Sequence, residues 1–134
     1  MSLEEQILKT SHTVAIVGLS ANPDRESNLV ARTLQEAGYK IIPVNPNEQS
    51  ILGEKCYPEL AAVPEKIDVV DIFRKSEDVP PIVEQAIAKG ARVVWMQEGV
   101  INEAAAEKAR QAGLVVVMDK CMRKELKKLN SDLA

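Results

Sequence analysis

The chain has 134 residues, with 17 Lys and Arg against 20 Asp and Glu and a formal net charge of −3. That length predicts one domain, residues 1–134, able to bury roughly two-thirds of the surface its unfolded chain would expose. An acidic balance recruits neither nucleic acid nor an anionic membrane, no apolar run reaches the ~20 residues of a membrane span, and two cysteines are too few for a disulfide scaffold, which points to a cytoplasmic protein.

The start, MSLEEQILKT, is acidic and amphipathic, unlike a signal peptide. Ser2 and Glu5 stand at capping-box spacing and predict a short helix over 3–9. TVAIVG (13–18) is a continuous apolar run, the pattern of a strand buried on both faces. A helix is predicted from Ser27 or Asn28 to Ala37, followed by a strand YKIIPVN (39–45) and a short strand EKCY (54–57). PELAAVPE reads as a helical turn broken by Pro64. IDVVDIF (67–73) is the next strand, and DVPPIVEQAIAK (78–89) a helix with its prolines in the first turn, where a missing N–H costs least. RVVWMQ (92–97) and LVVVM (114–118) read as strands, INEAAAEKARQA (101–112) and CMRKELKKL (121–129) as helices.

Strands and helices alternate, and most strands lack period-two patterning. The predicted fold is therefore α/β: a doubly wound, Rossmann-like parallel sheet of five to six strands with helices on both faces. Gly38, Gly90 and Gly113 each follow a helix and feed a strand. Gly18 and Gly99 instead close strands, at the carboxyl edge where doubly wound sheets bind ligands.

The loop after the first strand, GLSANPDRES, leads into a helix N-terminus with its unpaired N–H groups and partial positive charge. Gly18, Ser20 and Asn22 let a ligand approach the backbone, and Arg25 adds a fork suited to phosphate. Together they describe an anion site for a phosphate or pyrophosphate. The alternative is an ordinary βα loop with Ser27 as N-cap and Arg25 in water. The second strand ends PVNPN, with Asn45 and Asn47 flanking Pro46 and no carboxylate before Glu48. A nicotinamide site places an acid there for the ribose hydroxyls, so the end suits an adenine packed on proline, or is turn chemistry and nothing more. Phe73 closes a strand beside Arg74 and Lys75, and Gln97, Glu98 and Gly99 close another on the same rim. His12, the single histidine, lies at the opposite edge, which argues against a Ser–His or Cys–His pair at the rim. No stretch has metal-ligand spacing. Cys121 opens the last helix and reads as a small buried residue, and the basic residues Lys120, Arg123, Lys124, Lys127 and Lys128 read as a solvated face.

The stretches VAIVGLSANPDRES, GYKIIPVNPNEQSILGEKCYPEL, IDVVDIFRKSEDVPPIVEQAIAKGARVVWMQEGV and AGLVVVMDKCMRKE, taken in order, resemble the stand-alone CoA-binding domain family. That family is similar to the CoA-binding domain of the succinyl-CoA synthetase α subunit. The resemblance covers about residues 13–126. It implies coenzyme A, or an acyl-CoA, as a small-molecule ligand. Gly18, Ser20, Asn22 and Arg25 would hold the pyrophosphate. Asn45, Pro46 and Tyr57 would line the adenosine end, and Phe73 and Arg74 would flank the phosphates and the start of the pantetheine arm. Glu98–Gly99 matches a turn near the ligand. The synthetase works through a histidine of a second domain that accepts phosphate, and this sequence has neither, so a binding protein without catalytic residues is implied. The competing readings are an NAD(P)-dependent oxidoreductase and an interaction module with a vestigial nucleotide site.

Overall fold

Five strands carry the architecture, and each is short, apolar and buried along nearly its whole length. In the computed structural model, which describes residues 1–133, they are β1 (Thr13–Val17), β2 (Lys40–Val44), β5 (Val69–Ile72), β6 (Val93–Met96) and β7 (Val115–Val117). They form one parallel sheet in the order β2-β1-β5-β6-β7. Two further strands, β3 (Ser50–Ile51) and β4 (Glu54–Lys55), lie outside it. The helices are α1 (Leu3–Thr10), α2 (Glu26–Glu36), α3 (Val79–Lys89), α4 (Glu103–Gln111) and α5 (Met122–Leu133), with 3₁₀ turns at Leu60–Ala62 and Ser76–Asp78.

Neighbouring residues of one strand feed opposite cores, which is why the strands read as unbroken apolar runs. Val70, Ile72, Val94 and Met96 pack under α3 and α4, against Val79, Val83 and Ala106. Ile16, Val69 and Trp95 pack under α1, α2 and α5, against Leu8, Leu34 and Leu126. The chain leaves β1 through α2 to reach β2 on one side, then returns to β5 on the other through the β3–β4 ribbon and the 3₁₀ turn at Leu60–Ala62. The order therefore reverses at β1–β5, and a crevice opens at their carboxyl ends.

The expected fold class holds, with five strands in the sheet. The strand expected at 54–57 does not join it. Glu54–Lys55 pairs antiparallel with Ser50–Ile51 in a separate two-stranded ribbon. Leu52 (φ 54) and Gly53 (φ 79) make the tight turn between them, since a two-residue hairpin loop of this type needs positive φ at both central positions. Only Tyr57 reaches the main sheet, through one parallel bridge to Val44.

Helix ends follow the sequence signals with one exception. Ser2 Oγ accepts the Glu5 N–H at 3.1 Å, as a cap should, and the prolines of α3 occupy its first turn. α2 begins at Glu26 with Arg25 in the cap position. Ser27 is buried inside the helix and serves the loop instead.

Candidate functional site

The loop joining β1 to α2 is held by side chains of α2 itself. Ser27 Oγ accepts the Ser20 N–H at 3.0 Å, and Asn28 Nδ2 donates to the Ser20 carbonyl at 2.9 Å. Arg32 then ties the far end, donating from Nε to Asn28 Oδ1 and from Nη2 to the Pro23 carbonyl, each at 2.9 Å. Ser20 and Asn22 make local turns: Ser20 Oγ accepts from the Asn22 N–H, and Asn22 Oδ1 from the Asp24 N–H. These bonds fix the loop and turn the N-terminus of α2 toward the crevice.

A cavity of about 560 Å³ lies there, walled by Gly18, Ser20, Arg25, Ser27, Phe73 and Arg74 among others. A second cavity of about 350 Å³ adjoins it, with Pro46, Pro58, Leu60 and Ile82 in its wall. Arg74 and Asp78 belong to both walls, so Arg74 stands where the two meet. Gly18 is essential to the shape: its N–H donates to the Val44 carbonyl at 2.9 Å and its α carbon lies against Phe73. Phe73 is half-buried and packs its ring on the core under α2 and α5.

Of the residues singled out by sequence, Gly18, Ser20, Arg25, Phe73 and Arg74 line the larger cavity and Pro46 the smaller. Asn22, Asn45 and Tyr57 are in neither wall. The Asn45 side chain is occupied: Nδ2 donates to the Leu19 carbonyl at 2.9 Å and Oδ1 accepts the Asn47 N–H at 2.8 Å. It fastens the end of β2 to the β1–α2 loop. Tyr57 stands behind it, its carbonyl accepting the Asn45 N–H at 2.9 Å, with Lys55 Nζ 5.2 Å above its ring. Lys75 and Asp78, which the sequence reading did not select, line the larger cavity. Their signal was position, one and four residues after Arg74 on the same rim. Asn28 and Arg32 were also missed, although a polar residue on the apolar stripe of α2 marks a buried hydrogen-bonding role.

Other reactive groups lie elsewhere. His12 is exposed at the amino end of β1, where its N–H donates to Asp68 Oδ2 at 2.8 Å. Both cysteines are free and buried. Burial pushes the Cys56 thiol upward, away from the thiolate a nucleophile needs. Asp71, at the centre of β5 between Ile16 and Trp95, is fully buried, and neither oxygen has a hydrogen-bond partner among the described residues. Desolvation raises its pKa well above the ordinary carboxylate value. The basic residues of α5 and the Lys120 just before it are largely paired: Lys120 with Glu4, Arg123 with Glu26, Lys124 with Glu98 and Lys128 with Glu125. Among the described residues, no group of three or more His, Cys, Asp or Glu is placed to hold a metal ion, and no helix is long and apolar enough to cross a membrane.

Residues 12–127 match the family described as CoA binding domain. The Bacillus subtilis protein YneT is 41% identical over 119 residues, 89% of this chain and 88% of that protein. The solved structure of a hypothetical protein from Pyrococcus horikoshii OT3 is 44% identical, with a TM-score of 0.92 over 95% of this chain and 89% of that one. Subunit alpha of the ADP-forming acetate–CoA ligase I of Pyrococcus furiosus is 35% identical over 100 residues, 70% of this chain but 21% of that subunit.

Proposed function

The chain belongs to the CoA-binding domain family, and from that premise we propose that it binds coenzyme A, or an acyl-CoA, in the crevice at the carboxyl ends of β1 and β5. We take residues 1–134 as one such domain, a holder of the ligand that performs no chemistry on it. The observation that carries the reading is the meeting of Gly18, Arg25 and Arg74 at one cavity beside the N-terminus of α2. A glycine lets the pyrophosphate come close to the backbone. The helix terminus and two guanidinium groups answer its charge.

Ser20 and Asn22 shape the loop that presents those N–H groups. The smaller cavity beyond Arg74 takes the adenine, with Pro46 as its shelf. Asn45 and Tyr57 act from behind, fixing the angle of that shelf. Phe73 offers an apolar edge to the start of the pantetheine arm. His12 is at the opposite edge of the sheet and takes no part. Only CoA binding is carried over from the ligase relative, since the chain spans 21% of that subunit.

Thermal unfolding with CoA, acetyl-CoA, NAD and NADP tests the reading. CoA at 100 times its dissociation constant adds about 2.7 kcal/mol of stability. Stabilisation by NAD or NADP without CoA would replace it with a nicotinamide site.

A further inference from the structure

The wall of the larger cavity contains three cations, Arg25, Arg74 and Lys75, and three carboxylates, Glu26, Asp78 and Glu98. Taken alone, this lining is formally neutral, an odd surface for a polyphosphate. Two of its carboxylates, however, are engaged from outside the cavity. Arg123 Nη2 lies 3.4 Å from Glu26 Oε1, and Lys124 Nζ lies 2.7 Å from Glu98 Oε1. The Cys121 thiol also donates to Glu26 Oε1, with Sγ 3.7 Å away. Arg123 and Lys124 are consecutive residues in the first turn of α5, and neither lines the cavity. One turn of one helix thus grips an acid from each side of the crevice: Glu26 at the start of α2, and Glu98 just past β6.

We propose that Arg123 and Lys124 are positioning residues for anion binding, which draw Glu26 and Glu98 toward α5 and neutralise them so that Arg25, Arg74 and Lys75 face the ligand opposed only by Asp78. The proposal rests on the reading of the crevice as a polyphosphate site. It differs from a direct contact, because the α5 cations act only through their carboxylate partners. Freed from Arg123, Glu26 would swing beside Arg25 and repel the phosphates the loop is built to hold.

Double-mutant cycles decide it. CoA and, separately, inorganic pyrophosphate are titrated calorimetrically into the wild type, Arg123→Ala, Glu26→Gln and the double variant, with a second cycle on Lys124→Ala and Glu98→Gln. Lys124 is exposed, so the second cycle leaves the fold undisturbed. Each alanine variant should weaken binding about three- to fivefold, the scale of one partly screened ion pair. In the Gln background the same change should cost less than half as much. An equal loss in both backgrounds, or no loss in either alanine variant, overturns the assignment while leaving CoA binding intact. Coupling seen with pyrophosphate from a wild type that ignores CoA would keep the assignment and remove the CoA reading. A wild type that binds neither probe removes both.

Discussion

A β carbon on Gly18 would lie 2.2 Å from the carbonyl oxygen of Phe73. The contact joins the ends of the two strands between which the sheet order reverses, and Phe73 in turn donates its N–H to the Val17 carbonyl at 2.8 Å. Gly18 also has φ +88, a conformation costly for any residue with a side chain. Gly18→Ala should therefore destabilise the fold by about 2 kcal/mol or more, a fall in thermal midpoint of about 8 °C. CoA should also stabilise the variant less than the wild type. A wild-type midpoint in the variant would show that the rim yields easily and that the close approach is unimportant.

Arg25 is exposed and lies in the loop before α2, with few apolar contacts to lose. Arg25→Ala should leave unfolding within about 0.5 kcal/mol of wild type. It should weaken CoA binding roughly tenfold or more, the loss of one charge-assisted hydrogen bond to phosphate. Isothermal titration reads the affinity, and an unchanged value would remove Arg25 from the site.

On the proposed reading, Arg25, Arg74 and the shelf at Pro46 would all serve the nucleotide half of the ligand. Binding should follow the same division. 3′-Phospho-ADP should bind nearly as well as CoA, dephospho-CoA less well, and short acyl groups on the thiol should change little. Competition titrations with these ligands test the division. A strong preference for one acyl-CoA over free CoA would move the centre of recognition to the thiol end.

Asp71 gives the fold a pH dependence of definite sign. Burial raises its folded pKa well above 3.8, while the unfolded chain titrates near the ordinary value. A carboxyl with a raised folded pKa holds more protons when folded, so its contribution is present at low pH and lost as pH rises above about 4. Asp71→Asn keeps the shape and removes the titration. Its stability relative to wild type should climb from pH 4 to pH 7, at up to about 1.4 kcal/mol per pH unit. Urea unfolding of both proteins across that range gives the slope. A difference that stays flat would mean that Asp71 ionises normally inside the fold.

The sequence by itself determined the layer architecture. Apolar runs such as Val14–Val17 are buried on both faces, and a glycine follows each of α2, α3 and α4 in the left-handed conformation. These signals survive because periodicity and helix termination are set by residues a few positions apart. The order of the motifs also put Gly18 and Phe73 at the carboxyl ends of neighbouring strands, the edge where doubly wound sheets bind ligands. The hairpin at 50–55 was not legible, because Leu52 at positive φ carries no composition signal of a tight turn.

Only the tertiary structure decided how the polar side chains are spent. Ser27 has the look of a helix cap, yet its hydroxyl reaches back to the Ser20 N–H. By sequence Asn45 is free for adenosine, yet its amide is committed to Leu19 in another loop. The basic face of α5 read as solvated, yet Arg123 and Lys124 meet Glu26 and Glu98 across the mouth of the crevice. Apolar residues need only a buried face, which a local pattern reveals. A polar atom needs one partner within about 3 Å in the right direction, and in a parallel sheet that partner arrives from a remote part of the chain, by a route no local pattern records.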